Sequence, residues 1–209
     1  MTQELFQRAF AALPLVAILR GVRPEEVEAI ALGLYAEGFR LIEVPMNSPQ
    51  ALDSIARLAR VLPADALMGA GTVLSVGAAE QVAAAGGKLI VMPHADVEVI
   101  RAVKAAGLIC VPGAATPTEA FACAHAGADA VKLFPAEMVT PPILKAIRAV
   151  LPPALPLLPV GGVSPQTMGP FLQAGASGFG LGSALYAPSM TAVEVAERGR
   201  AFVKAWRER

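Results

Sequence analysis

The chain has 209 residues, 55% hydrophobic, 5% aromatic and 16% charged, with 19 Gly and 18 Pro. That length suits one substantial domain and is short for two, and few aromatics with abundant Gly and Pro favour buried parallel strands over an antiparallel sandwich. Lys plus Arg and Asp plus Glu balance at 17 each, so no excess charge points to nucleic acid or an acidic membrane surface as a partner.

From the N-terminus, Met1-Thr2-Gln3-Glu4-Leu5 lacks a basic stretch followed by an apolar core. No secretory signal is expected, and the cytoplasm is the default location. Residues 2–12 predict a helix within a lead-in covering 1–14. Short apolar runs then predict strands at 15–20, 41–46, 67–72, 89–93, 109–113, 130–135, 156–162 and 177–182. Amphipathic stretches lie between them, such as 24–37, where Val27, Ile30, Leu34 and Tyr35 can share a face. Pro24 opens that helix and Gly38 stops it; Gly86, Gly107, Gly127 and Gly175 stand in equivalent stop positions. A last helix is expected over 191–207.

Eight strand–helix units in succession close most economically into a single (β/α)8 TIM barrel with an additional N-terminal helix, occupying 1–209 as one domain. The rival, an open doubly wound sheet, lacks its nucleotide fingerprint at the first turn, Arg20-Gly21-Val22-Arg23-Pro24. Residues 149–193 hold no Asp, Glu, Lys, Arg or His, but Pro152, Pro153, Pro156, Pro159, Pro165, Pro170 and Pro188 break them into pieces too short to span a bilayer. Cys110 in a strand and Cys123 in a helix read as core filler. Two histidines and no clustered carboxylates disfavour a catalytic metal. His94 is expected at a strand rim and His125 on a helix.

Two of the predicted strands carry a charge in mid-run: Glu43 in Leu41-Ile42-Glu43-Val44-Pro45 and Lys132 in Ala130-Val131-Lys132-Leu133-Phe134-Pro135. A charge inside a barrel strand costs several kcal/mol unless paired. If Ile42, Val44, Val131 and Leu133 face the helices, alternation turns Glu43 and Lys132 inward, on opposite sides of the ring. A desolvated lysine has a lowered pKa and can attack a ketone to form a Schiff base. A carboxylate across the cavity can move the protons. The competing reading is a structural ion pair that plugs the barrel.

Pro159-Val160-Gly161-Gly162-Val163-Ser164-Pro165 at the seventh strand's loop and Gly178-Phe179-Gly180-Leu181-Gly182-Ser183 ending the eighth stand where barrels often build an anion site. Glycines let backbone N–H groups approach phosphate oxygens, and Ser183 adds a hydroxyl. Arg20, ending the first strand, offers a planar fork to a carboxylate or phosphate, and Thr72, ending the third, a hydroxyl.

The motifs Ile42-Glu43-Val44, Gly69-Ala70-Gly71-Thr72-Val73, Lys132-Leu133-Phe134-Pro135 and Gly161-Gly162-Val163 resemble, in order and spacing, those of the bacterial 2-keto-3-deoxy-6-phosphogluconate / 4-hydroxy-2-oxoglutarate aldolases, from about Leu13 to the C-terminus. The resemblance implies cleavage of a 2-keto-3-deoxy-6-phospho sugar acid to pyruvate and glyceraldehyde 3-phosphate, with no cofactor. It further implies Lys132 as the Schiff-base residue, Glu43 as acid/base, and a homotrimer. It makes Arg20, Thr72, Gly161, Gly162 and Ser183 substrate ligands, and Pro93 and Phe134 the lining of the pyruvate pocket. Asn47 stands where many gluconate-specific members have Arg, and Val160 where they have Thr. Both likenesses, with Leu13-Pro14-Leu15, are to the phosphogalactonate branch, and the two residues become candidate determinants of C4 specificity. A phosphosugar isomerase or epimerase using Glu43 alone, or a noncatalytic binding barrel, remains an alternative reading. The helix near 165–174, with Met168, Phe171 and Leu172, is either a subunit contact or a core-facing stripe.

Overall fold

A computed structural model describes residues 2–208. The expected N-terminal helix is α1 (Thr2–Ala12), and it leads into β1 (Leu15–Ile18). Strand and helix then alternate: α2 (Pro24–Ala36), β2 (Leu41–Pro45), α3 (Ala51–Val61), β3 (Leu67–Gly71), α4 (Val76–Ala84), β4 (Leu89–Val91) and α5 (Val97–Ala105). The second half continues with β5 (Ile109–Val111), β6 (Gly113–Ala114), α6 (Pro117–His125), β7 (Val131–Leu133), α7 (Pro141–Val150), β8 (Leu157–Pro159), α8 (Met168–Gln173), β9 (Phe179–Leu181) and α9 (Ala192–Arg207). Pro begins α2, and the glycines at 38, 86, 107, 127 and 175 all have positive φ, as helix-stop positions require. α9 starts with a capping box, Thr191 with Glu194.

All the strand pairings are parallel. One sheet runs β5-β4-β3-β2-β1-β9 and a second β6-β7-β8, with a Val160–Gly180 bridge joining the ends of β8 and β9. The strand expected over 109–113 is two pieces meeting at Pro112, whose carbonyl accepts from Lys132 N–H on the β7 side but which has no N–H to give there. β5 pairs with β4 before that proline, and β6 pairs with β7 after it. The chain therefore curls its parallel sheet on itself in two hydrogen-bonded sections instead of one uniform ring. The strands also stop earlier than expected. Arg20, Thr72, Pro93, Phe134 and Val160 lie just beyond their C-terminal ends, where the backbone is free to turn.

Alternation along the strands sorts the core into two. Ile42, Val44, Ala70, Ile90, Val131 and Leu133 join the helix residues in one large cluster. Residues of opposite parity, including Val16, Leu41, Leu67, Leu89, Ile109, Ala130 and Leu158, form a second cluster inside the curl. Phe6 and Ala9 of α1 belong to that inner cluster, so the amphipathic N-terminal helix stoppers the end opposite the site. Each such fully buried aliphatic side chain contributes roughly 1.5–3 kcal/mol of transfer free energy. Met168 and Phe171 of α8 are buried in the outer cluster, which assigns that stripe to the core.

Candidate active site

Leu41 and Ala130 belong to the inner cluster, and Glu43 and Lys132 share their parity, so both charges point into the curl. Glu43 is 1% exposed and Lys132 5%. Glu43 lies flat against β3: a Cβ on Gly71 would collide with its carboxylate, so this position has room only for glycine. Oε2 of Glu43 has no hydrogen-bond partner among the described residues. Burial pushes the Glu43 carboxyl up to about 7, and the positive charges of Lys132 and Arg20 act against that rise. Burial also pulls the Lys132 ammonium below the ordinary lysine range; Glu43 opposes the shift and Arg20 adds to it. The Lys132 Nζ stands 4.6 Å from the centroid of the Phe134 ring, which shields one side of the amine from water.

Three strand-end turns converge on Arg20. Its Nη1 donates to Asn47 Oδ1 at 2.6 Å and its Nη2 to Thr72 Oγ1 at 3.4 Å. Thr72 holds a left-handed φ of 56°, unusual for a β-branched residue and typical of a site that over-determines its backbone. Beside this contact, the backbone N–H of Gly21 donates to Ser48 Oγ at 2.9 Å.

A cleft of about 120 Å³ gathers Arg20, Lys132, Phe134 and Val160 with Gly161, Gly162 and Ser183. The lysine and the two glycine-bearing turns thus share one cavity, as the strand positions suggested. Gly161 and Gly162 have φ of 114° and 61°, which lets this loop present backbone where another residue would present a side chain. After β9 the chain forms a tight turn, with Leu185 N–H and Tyr186 N–H both donating to the Gly182 carbonyl. Val160 is buried, and its methyl groups face the space a Cβ on Gly180 would fill.

Pro93 and His94 follow β4 at its junction with β6; like Glu43, Asn47 and Thr72, they border the site without lining the cleft itself. A Cβ on Gly113 would meet the Pro93 carbonyl, and the His94 carbonyl accepts from Gly113 N–H at 3.2 Å. His94 is exposed. Two residues were not foreseen from the sequence. Ser48 ties the second strand-end turn to the first. The exposed Glu137 sets its carboxylate against the glycine loop, 2.5 Å from where a Cβ on Gly161 would be. An acid two residues beyond Pro135 was visible in the sequence, but its neighbour across the fold was not.

No group of three or more His, Cys, Asp or Glu able to hold a metal occurs among the described residues. No helix among them is long and apolar enough to cross a membrane.

Comparison with known proteins agrees with this geometry. A probable 2-dehydro-3-deoxy-6-phosphogalactonate aldolase of Rhizobium meliloti (strain 1021) is 45% identical over 92% of this chain and 91% of its own length. The 2-dehydro-3-deoxy-6-phosphogalactonate aldolase of Escherichia coli (strain K12) is 43% identical over 94% of this chain and 96% of its own length. A solved native KDPGal structure superposes with a TM-score of 0.92 at 43% identity, covering 94% of this chain and 95% of that one. The profile of the KDPG and KHG aldolases matches residues 7–199, and the chain belongs to that family.

Proposed function

We propose that this chain is a Schiff-base aldolase that cleaves 2-keto-3-deoxy-6-phosphogalactonate, its gluconate epimer, or both, to pyruvate and glyceraldehyde 3-phosphate. The observation that carries the reading is the buried Lys132 amine, lowered by desolvation and opening into the cleft with the glycine loops. Membership of the family and the phosphogalactonate aldolases among the relatives support the substrate class. The neutral Lys132 amine adds to the C2 ketone, and loss of water from the carbinolamine gives the protonated imine. Removal of the C4 hydroxyl proton then breaks the C3–C4 bond, and its electron pair moves into the imine to give an enamine. Glyceraldehyde 3-phosphate departs, C3 takes a proton, and hydrolysis releases pyruvate and restores the amine. Glu43, with a carboxyl near 7, can both accept and donate the protons these steps require.

In this reading the substrate phosphate lies on the backbone of Gly161, Gly162 and the Ser183 turn. Arg20 and Thr72 address the keto-acid carboxylate, and Phe134 and Pro93 bound the pyruvate moiety. The 209 residues act as one domain, a closed (β/α)8 barrel interrupted at Pro112, supported by the parallel pairings of both sheets and the Val160–Gly180 bridge between them. A cytoplasmic location and a homotrimer complete the proposal, along with activity on 4-hydroxy-2-oxoglutarate.

The test of the chemistry is reduction with borohydride in the presence of pyruvate, which should add a three-carbon acid to the peptide containing Lys132. An unlabelled Lys132 in active enzyme sinks the mechanism. For stereochemistry, Val160→Thr places a hydroxyl in the cleft and should shift the kcat/KM ratio toward the gluconate epimer. An unchanged ratio removes Val160 as a determinant of C4 specificity.

A further inference from the structure

Asn47 is exposed at the turn after β2, and its side-chain oxygen is engaged by another residue of the site. Arg20 is also exposed, on a long side chain with many rotamers open to it when free. Nothing buries its guanidinium, so its direction is set by the groups that accept its N–H bonds. Asn47 Oδ1 takes one from Nη1 at 2.6 Å, and Thr72 Oγ1 takes one from Nη2 at 3.4 Å. A guanidinium has five N–H donors, so three remain for an anionic ligand after both contacts are made. The backbone is fixed from the same turn. Ser48, next to Asn47 and buried, accepts from the N–H of Gly21, next to Arg20, at 2.9 Å. Gly21 itself is left-handed, with φ of 85°, and a Cβ there would strike Pro188 Cγ at 2.9 Å, so the turn has little room to shift.

We propose that Asn47 is a positioning residue: with Ser48 it clamps the β1 turn, and as the shorter of two contacts it aims the Arg20 fork into the cleft, contributing to turnover through Arg20 and not through its own contact with substrate. This rests on the aldolase reading above and assigns Asn47 a part in the site distinct from choosing the C4 epimer. A substitution that keeps the size of Asn47 and removes its acceptor leaves Arg20 to sample solvent, and the anionic substrate must then restore its order. Because Asn47 is exposed, the fold has no stake in its side chain.

The experiment is a double-mutant cycle on kcat/KM for the phosphorylated keto acids, with Asn47→Leu, Asn47→Ala, Arg20→Ala and the two doubles, together with their melting temperatures. In the Arg20 background, Asn47→Leu should lower kcat/KM roughly tenfold, mostly through KM, equally for both epimers and with an unchanged Tm. In the Arg20→Ala background the same substitution should change kcat/KM less than about twofold, and Asn47→Ala should repeat the pattern. Equal penalties in both backgrounds overturn the positioning role, as does a loss confined to one epimer. Pyruvate–borohydride labelling of Lys132 in each variant separates the two claims. Additive penalties with Lys132 labelled overturn the clamp alone, whereas an unlabelled Lys132 overturns the Schiff-base reading, and the coupling is still read from the same cycle.

Discussion

The two sides of the cleft meet one substrate with opposite materials. On the β1–β3 and β7 side, Arg20, Glu43 and Lys132 crowd three ionisable groups together, two of them almost wholly withdrawn from water. On the β8–β9 side, residues 149–193 carry no charged side chain, and glycine backbone lines the wall. Covalent chemistry on a carbonyl needs an amine and a carboxyl whose proton affinities have been moved toward neutrality, and burial does that only to side chains that titrate. Holding a phosphate needs directed N–H groups, and a fixed peptide supplies them with no ionisable group to perturb the pair opposite. If the glycine side holds the substrate phosphate, as proposed, a backbone site keeps a permanent positive charge there from lowering Lys132 further or pulling Glu43 down.

Substitutions on either side should therefore fail in different parameters. The largest effect belongs to Lys132→Met, which should reduce kcat by about 10⁴-fold or more and abolish pyruvate-dependent labelling. Residual turnover within tenfold of wild type would break the assignment of covalent chemistry to the charged side. Next, Glu43→Gln should lower kcat by roughly 10²–10⁴-fold. Its stability should also report the buried carboxyl. Because the folded state raises the Glu43 carboxyl from 4.5 to about 7, its neutral form is favoured by folding. The associated stability is fully present below about pH 4.5 and is lost as pH rises through about 7. Chemical denaturation should accordingly show the Gln variant gaining on wild type across that window, by on the order of 3 kcal/mol at the alkaline end. A difference that does not change with pH would mean Glu43 is solvated in the folded protein.

On the uncharged side, Gly162→Ala forces an L-residue to φ of 61° and brings a Cβ to 3.1 Å from Glu137 Oε1. KM for phosphorylated substrates should rise about tenfold while the rate of pyruvate trapping at Lys132 stays near wild type. Equal damage to trapping would show that the two sides are not separable. The smallest effect is expected from Glu137→Gln. In the proposed function its carboxylate repels the substrate phosphate at the loop, so removing the charge should lower KM about two- to threefold at low salt, and the difference should shrink as salt is added. A raised KM would mark Glu137 as a brace for the loop.

How far each side could be read in advance follows from the physics that shapes it. Glu43 and Lys132 stood out because a charge in an apolar strand is anomalous in one dimension, and period-two alternation fixes which way it points without any knowledge of neighbours. The glycine pairs after β8 and β9 were legible for the same local reason. What the sequence withheld was contact between turns. Nothing in Pro45-Met46-Asn47-Ser48 says that its two polar side chains close on Arg20 and Gly21. Nor does Phe134-Pro135-Ala136-Glu137 say that its acid meets Gly161. The fifth strand is less continuous than its apolar run suggests, because Pro112 lacks the N–H that would face β7, and the ladders to β4 and to β7 fall on either side of it. Pro93, just after β4, sets its carbonyl against Gly113, a neighbour that its position in the chain does not announce.

The stopper formed by α1 has a kinetic meaning. Phe6 and Ala9 of α1 fill the inner cluster away from Lys132, so in the proposed function substrate and products pass through the cleft that Lys132 lines. In that function the three-carbon fragment tethered to the buried Lys132 sits deeper than the phosphorylated aldehyde lying along the glycine turns. In the proposed mechanism the aldehyde must clear that cleft before the tether can be hydrolysed and its product can leave. The order of departure is then set by the architecture, last in, first out, and in the synthetic direction pyruvate must enter before the aldehyde.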